Sequence, residues 1–439
     1  MLFRMLVGKM PLRRISEALG MTPPVVVDRI AFIHRQCVAF VSDRERRLTR
    51  MNIPRLRVSV DGQEYAINWR SHLIRRNVSL MATATVCNDT GYCFAAHFNY
   101  DPDLNRTAEE AAALAAGDAD KPYALRRRSR VWLSTDYAAI AARWAARQAA
   151  RRGHPTATVP IPGLGGDIAS SYAAQQERED IEDPMPETPR RTLPDKGMQT
   201  RRDYLLHAHF RYLDALCPNV GKWRFYMDQD PGMRAAFLSS FASRILDGTA
   251  DGFYVRIEKD ATIVEKNKAL AAAKAAFEAE KVLHPGKTDR EIVVGMVRAR
   301  MAAMTPFGKW NDRWLLHPKP TMSEPALALS WLTERPAMNR DHAAALYALG
   351  SLHGVDSLFN RMRRRVAMLE RPIRTPRSGG RVWSAYASYD PSQTARMVEI
   401  VRVCHNFVWK SDKDGKTPAM RIGLARAPLD YDDILRFIR

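Results

Sequence analysis

The chain has 439 residues, enough for two or three domains, and its apolar fraction of 46% supports a sizeable core, which excludes a mainly disordered protein. A formal net charge of +20 favours a polyanionic partner, with nucleic acid ahead of a membrane surface. The sequence has no apolar run of about 18 residues and no secretion signal, so we expect a cytoplasmic protein without a membrane span.

The first elements are two short helices joined by a sharp turn. The pattern predicts a helix over Pro11–Leu19, a turn at Gly20 and Met21, and a second helix from Thr22 to about Cys37. A glycine at such a corner suits two crossed helices, which is typical of a helix-turn-helix. A plain helical hairpin without a DNA role is the alternative. In the DNA-binding interpretation, the contacts come from Arg13, Arg14, Thr22 and Arg29.

Three strands are predicted next, and the first carries an acidic residue. Alternation places Leu56, Val58 and Val60 on one face and Arg57, Ser59 and Asp61 on the other, as in a half-buried strand that ends at Asp61. Two further runs, 78–87 and 92–100, are separated by turn residues and predict a hairpin. Taken alone, Asp61 is better explained as a turn residue before Gly62. A functional role for Asp61 depends on other acidic residues further along the chain.

The region from 107 to 200 is expected to be helical at first and irregular later. Thr107–Ala116 and Val131–Arg152 have helical patterns, and arginines recur every four residues in the second, either to follow phosphates or as a solvated face; these are Arg143, Arg147 and Arg151. Residues 153–200 are rich in proline and predict a linker or loop that is partly disordered.

A second acidic residue is predicted at the end of a short apolar strand. A helix over Tyr204–Leu216 precedes that strand, which ends at Asp228 and leads through Pro231 into a helix over Met233–Leu246. Open α/β sheets place their sites at the carboxyl ends of strands, before helices. Asp230 is close enough to be an alternative to Asp228.

Beyond this strand the sequence predicts mainly helix before a third acidic residue. Phe253–Ile257 is a further strand, residues 262–304 are a nearly continuous helical insertion broken at His284, and Pro306–Pro336 is a loop that packs against the core. The helix Val355–Leu369 is amphipathic, with Asp356 in its first turn. Its basic face, a candidate for DNA contact, consists of Arg361, Arg363, Arg364 and Arg365. A surface helix with an acidic first turn is the plainer explanation.

In three blocks, the chain resembles the DDE transposases of bacterial insertion sequences. These are Val-Ser-Val-Asp61 before a hairpin, Phe-Tyr-Met-Asp228 before a helix, and the block from Asp356 to Arg371 followed by Thr375 and Ser378. The last block is the most specific, because those enzymes carry a similar series of an acid, Asn, Arg-x-Arg and Leu-x-Arg near the C-terminus. The resemblance covers roughly residues 10–110 and 220–410.

The resemblance implies an RNase H-like α/β fold, a mixed sheet flanked by helices, with an N-terminal all-α helix-turn-helix and helical insertions. It implies that Asp61, Asp228 and Asp356 are catalytic and bind Mg²⁺, with two ions expected and Mn²⁺ as a substitute. The implied partners are double-stranded DNA, at the element ends and the target, and further copies of the chain assembled on DNA. The family usually has Glu at the third position, so Glu370 is an alternative to Asp356.

Two further features differ from the family. The cysteine-rich zinc ribbon of many relatives is missing, since the five cysteines include no CxxC pair and are expected to be reduced core residues. Residues 107–220 and 262–345 have no counterpart in the resemblance. The expected functions are therefore a DNA transposase, a non-catalytic DNA-binding regulator with the same fold, or a structure-specific RNase H-like nuclease.

These observations divide the chain into six predicted parts. They are 1–50 as a helix-turn-helix domain, 51–152 as the first part of the catalytic core, 153–200 as a proline-rich linker, 201–261 as the second part of the core, 262–345 as a mainly helical insertion, and 346–439 as the C-terminal part with the third acidic residue and the basic helix.

Overall fold

The architecture comes from a computed structural model of the full chain. The structure describes residues 1–69, 77–121, 125–139, 142, 163–176, 193–258, 261–334, 339–370, 373–374, 382–383 and 390–437. The predicted arginine row at positions 143, 147 and 151 lies outside these residues, as do Thr375 and Ser378.

An eight-stranded mixed sheet is the centre of the fold, in the order β3-β2-β1-β6-β7-β10-β9-β8. Its strands are β1 (Leu56–Asn68), β2 (Asn77–Cys87), β3 (Cys93–Phe98), β6 (Trp223–Asp228), β7 (Ala250–Arg256), β8 (Thr305–Phe307), β9 (Asp312–Leu316) and β10 (Ala328–Trp331). The pairs β1–β6 and β6–β7 are parallel, and the other neighbours are antiparallel. Two small sheets pair β4 (Tyr100–Asn105) with β5 (Lys196–Gln199), and β11 (Ile373–Arg374) with β12 (Val382–Trp383).

Helices surround the sheet. In chain order they are α1 (Leu2–Leu6), α2 (Leu12–Leu19), α3 (Pro23–Glu45), α4 (Arg106–Ala115), α5 (Leu164–Gln176), α6 (Arg202–Leu216), α7 (Pro231–Ser240), α8 (Ala242–Leu246), α9 (Ile263–Leu283), α10 (Asp289–Arg300), α11 (Arg340–Tyr347), α12 (His353–Arg365), α13 (Pro391–Phe407), α14 (Pro418–Ile422) and α15 (Tyr431–Leu435). No helix within the described ranges is long and apolar enough to cross a membrane.

The two faces of the central strands pack against different helices. On one face, Phe225 of β6 packs against Phe210 of α6 and Phe237 and Phe241 around α7, with ring centroids 4.8–5.6 Å from Phe225. On the other face, the Tyr226 hydroxyl donates to the Leu346 carbonyl of α11 at 2.9 Å. Because successive side chains of β6 point to opposite faces, one face packs in an aromatic core and the other face is covered by α11 and α12.

The N-terminal helices pack directly on the rest of the protein. Ile15 of α2 and Val26 and Ile30 of α3 are buried and belong to the main hydrophobic core. The second helix is longer than expected and continues to Glu45, whose carboxylate lies 2.6 Å from Arg402 of α13. Both partners of this ion pair are buried. A buried ion pair is stable only when its partners stay together, so α3 is anchored to α13.

Several elements differ from the sequence-based expectation. Asp61 does not end its strand, since β1 continues through Gly62 in extended conformation to Asn68 and pairs with β2 along this length. The span after Pro306 forms β8, β9 and β10 and extends the central sheet, where a loop was expected. Part of the expected linker 153–200 is ordered as α5 and β5. In the last two cases the elements are stabilised by pairing or packing with distant residues, which local composition does not reveal.

A pair of histidines lies between β3 and α6. Nδ1 of His209 is 3.1 Å from Nδ1 of His97, and Nε2 of His209 is 2.6 Å from the Thr85 hydroxyl. Burial lowers the pKa of His97 from 6.5 to about 4 and lowers that of His209 well below 6.5. Both histidines are therefore neutral in the folded protein at neutral pH, where one ring can donate to the other.

We predict that this pair makes the protein sensitive to acid. Because the folded pKa lies below the unfolded pKa, the stabilising contribution is present above pH 6.5 and is lost as pH falls towards 4. Between pH 7 and pH 4.5, the free energy of unfolding should fall by roughly 1–3 kcal/mol less in His97→Asn than in the unmodified protein. Urea denaturation at the two pH values measures this difference. His284→Asn, at a solvent-exposed position, is the control. An equal pH dependence in both variants would contradict the prediction.

Candidate functional site: three acidic residues on one face of the sheet

Asp61 and Asp228 lie on neighbouring parallel strands at matching positions. The last register pair of β1 and β6 is Val60 with Met227, and each aspartate is the next residue of its strand. Residues paired in parallel strands point to the same face. Asp61 thus lies where the β1–β6 pairing ends, and Asp228 is the last residue of β6.

The surroundings of the two carboxylates differ. Asp61 is 9% exposed, and its Oδ1 accepts a hydrogen bond from the Gly62 N–H at 2.6 Å. Asp228 is half-buried at the open end of its strand. A buried carboxylate needs compensating polar partners, and the Gly62 N–H is one such partner of Asp61.

The helix α12, which carries Asp356, packs across β1 and β2. The Val355 N–H donates to the Ser59 hydroxyl at 3.0 Å, and the Asn88 amide donates to the Ser351 carbonyl at 3.2 Å. Ser59 shares a face of β1 with Asp61, two residues or about 7 Å along the strand. Because Asp356 directly follows Val355, these bonds bring the third acidic residue to the same region as the first.

A close approach at Gly354 allows this packing. A Cβ atom at this position would lie 2.7 Å from Asn88 Oδ1 and 2.9 Å from Ser59 Oγ. Ser59 lies in β1 and Asn88 in the turn after β2, and both bond to backbone at the start of α12. A glycine two residues before Asp356 was the available signal for this contact, and the sequence reasoning missed it together with Ser59 and Asn88.

The alternative acidic residues have structural contacts. Asp230 caps α7, since its Oδ1 accepts from the backbone N–H groups of Gly232 and Met233 at 2.7 and 3.0 Å. Its other oxygen lies 3.0 Å from the Arg202 guanidinium. Glu370 lies 2.8 Å from the Lys9 ammonium, after the end of α12. Asp230 therefore has a described role as a helix cap, and Glu370 has one as the partner of Lys9.

The four arginines at the end of α12 have different environments. Arg363 donates to the Gln63 side chain at 3.1 Å, two residues beyond Asp61 on the same strand. Arg361 and Arg365 lie over the Trp409 ring, with guanidinium carbons 5.9 and 4.9 Å from its centroid. Arg364 is exposed. Arg363 is therefore the arginine of this group whose described contact lies nearest to the acidic residues.

The predicted DNA-contacting residues of α2 and α3 are at the surface. Arg13 and Arg14 are exposed and both pair with Glu17, at 3.3 and 2.6 Å. Thr22 occupies the position before α3 and is exposed, and Arg29 lies on the exposed face of α3. Gly20 has the left-handed conformation with φ 62°, which produces the predicted corner between the helices. All four predicted residues are accessible to a ligand.

The three aspartates provide hard oxygen donors, which Mg²⁺ prefers, and one or two carboxylates for each ion are sufficient. Among the residues that the structure describes, no group of three or more His, Cys, Asp or Glu residues is arranged to hold a metal ion. Like charges repel at short range, so a bound cation would stabilise carboxylates that are brought close together. The donor chemistry of the three aspartates fits Mg²⁺.

Comparison of the chain with protein-family models, with curated proteins and with solved structures finds no match.

We predict that Gly354→Ala lowers the free energy of unfolding by roughly 1–3 kcal/mol, because the added methyl group overpacks the contact between α12 and the sheet. Gly295→Ala in α10 is the matched control: a Cβ there meets nothing within 4 Å, so alanine should stabilise the helix by roughly 0.5–1 kcal/mol. Urea denaturation measures both. Equal stability of the two variants would show that the close approach at Gly354 is unimportant.

Proposed function

We propose that the protein is a DNA transposase that cleaves and joins DNA strands with the help of Mg²⁺ bound by Asp61, Asp228 and Asp356. The observation that carries the proposal is the β1–β6 register, which gives two aspartates the same position on adjacent strands, with α12 and Asp356 packed over the same face. Bound Mg²⁺ lowers the pKa of a water or 3′-hydroxyl nucleophile and stabilises the departing oxygen.

In this proposal the protein side chains position the substrate around the acidic residues. Asp61 lies in the interior of β1 and defines one side of the site, and Asp228 at the end of β6 defines the neighbouring position. Arg363 binds a non-bridging phosphate oxygen beside the acidic residues. The hydrogen bond to the Gln63 side chain orients the Arg363 guanidinium. Asp356 approaches from the helix that covers the sheet.

The proposed DNA interface combines the exposed face of α3 with the net charge of +20. Arg13 and Arg14 of α2 and Arg29 of α3 are exposed. Positive charge of this size attracts DNA over long distances and makes binding dependent on salt. An oligomer assembled on two DNA ends would be the active form.

We predict that Asp61→Asn, Asp228→Asn and Asp356→Asn each abolish Mg²⁺-dependent cleavage and joining of DNA ends. Loss of a metal ligand removes several kcal/mol of transition-state stabilisation, which is roughly a 10²- to 10³-fold or larger decrease in rate. Gel assays of end cleavage and strand transfer measure the effect, and DNA binding by the same variants should stay intact.

Two variants control for charge and geometry. Asp356→Glu keeps a carboxylate on α12 and should retain activity, whereas Glu370→Gln removes the carboxylate that pairs with Lys9 and should leave the rate unchanged. Cleavage by Asp61→Asn at the unmodified rate would exclude this site. Loss of DNA binding in all three asparagine variants would instead assign the aspartates a structural role.

We predict that Arg29→Gln weakens binding to the element's ends, because it removes an exposed cation from the proposed recognition helix. The slope of log affinity against log salt should become less steep by about 0.9 if Arg29 contacts one phosphate. Point variants are preferable to deletion of residues 1–50, since deletion would expose the partners of α3 in α13.

Fluorescence anisotropy with end-sequence and scrambled duplexes measures this effect. Arg426→Gln, at an exposed position between α14 and α15, is the matched control. Identical salt slopes and identical end preference in both variants would rule out the proposed role of α3.

A further inference from the structure

Cations gather at the amino ends of β1 and β6, at the opposite end of the sheet face from the acidic residues. Arg57 pairs with Arg224 in the parallel register, so the two side chains lie next to each other on one face. Arg55 immediately precedes β1, and Lys222 immediately precedes β6. Like charges at directly paired positions repel each other, so this arrangement requires compensation.

The described carboxylates compensate this charge only in part. Asp89 pairs with Arg57. Asp251 is 2% exposed, and its Oδ2 lies 2.9 Å from the Lys222 ammonium and 3.7 Å from Arg224 Nε. The four cations and two carboxylates together have a net charge of +2. We call this set the cationic group; it consists of Arg55, Arg57, Lys222, Arg224, Asp89 and Asp251.

Arg224 retains capacity to donate hydrogen bonds. Its side chain is 7% exposed, and its buried Nε atom has no hydrogen-bond partner among the described residues. One terminal nitrogen lies 3.4 Å from Nε2 of His342. A guanidinium has five N–H donors, and a buried donor without an acceptor is costly. An oxyanion beside the guanidinium of Arg224 would supply a further acceptor for this side chain.

The charges within the cationic group also favour the binding of an anion. Burial lowers the pKa of Arg224, and the charges of Arg55 and Arg57 lower it further. His342 is exposed, but the partial desolvation of its ring and the charge of Arg224 lower its pKa, which favours a neutral ring whose Nε2 accepts from Arg224. A bound anion would relieve the repulsion among these cations.

Part of the cationic group and its neighbour His342 lie at the protein surface. Arg55 and His342 are exposed, and His342 lies in the first turn of α11, where the helix dipole adds partial positive charge. Asp61 lies four residues beyond Arg57 on the same strand, or roughly 13 Å away, so the cationic group is separate from the acidic residues.

We propose that Arg55, Arg57, Arg224 and His342 form a binding site for a phosphate group, and specifically for one from the backbone of a polynucleotide. The net charge of the whole chain favours this source over free inorganic phosphate, because a polyanion gains from every cation near its path. The site does not depend on metal binding or on the chemistry proposed for the aspartates.

Arg55→Gln in the full-length protein tests the site, because Arg55 is exposed and its substitution should not disturb folding. Arg290→Gln, at an exposed position of α10, is the matched control. Anisotropy with a labelled DNA duplex should show binding weakened about three- to tenfold by Arg55→Gln, a salt slope less steep by about 0.9, and no comparable change in the control. Arg55→Lys should retain most of the affinity.

A second arm measures the melting temperature with inorganic phosphate against chloride of equal ionic strength. Phosphate should stabilise the unmodified protein more than Arg55→Gln. If this phosphate effect depends on Arg55 while DNA binding does not, the ligand is free phosphate and the polynucleotide assignment is wrong. If neither arm separates Arg55→Gln from Arg290→Gln, the site does not exist. The same Arg55 effect on DNA binding in the Asp61→Asn background would separate this proposal from the catalytic one.

Discussion

The parallel pairing of β1 with β6 is the constraint on which the rest of the structure depends. Strand pairing has a side-chain period of two, so a slip of one residue would turn every side chain to the opposite face. On one face the observed register pairs Arg57 with Arg224 and Ser59 with Tyr226, and a third row, Asp61 and Asp228, follows one residue after the last pair, Val60 with Met227. One pairing therefore determines the positions of both the cationic group and the acidic residues.

The middle row explains why the two charged rows remain apart. Ser59 accepts a hydrogen bond from the first turn of α12, and Tyr226 donates one to the end of α11. These two bonds hold the helices over the centre of the face. The neutral row is thus used for packing, and one charged row lies on either side of it along the strands.

Local sequence patterns predict the elements of this arrangement better than their assembly. The alternation of β1, the turn before β3, the apolar run of β6, the break between α9 and α10 and the amphipathic α12 all have local signals, and the structure contains each of them. The predicted α/β class is confirmed by the mixed sheet and its flanking helices. The RNase H-like assignment, the helix-turn-helix function and the metal site stay predictions.

Other features depend on contacts between residues far apart in the chain. The neighbouring positions of Arg57 and Arg224 result from pairing of segments separated by more than 150 residues, which composition does not reveal. The short strands β8, β9 and β10 are stable because each pairs with a neighbour at the edge of the sheet. Asp61 was expected at a strand end because Gly62 favours turns, but pairing with β2 keeps this glycine extended.

The buried contact between Glu45 and Arg402 has a mechanical consequence. Removing one partner of a buried ion pair typically costs about 3–5 kcal/mol, so α3 cannot swing away from α13 without a comparable loss of stability. A duplex held by α3 would therefore keep a constant orientation relative to β1 and β6. The distance in base pairs between the recognised sequence and the phosphodiester that reaches Asp61 would then be determined by the shape of the fold, and lengthening a surface loop would leave it unchanged.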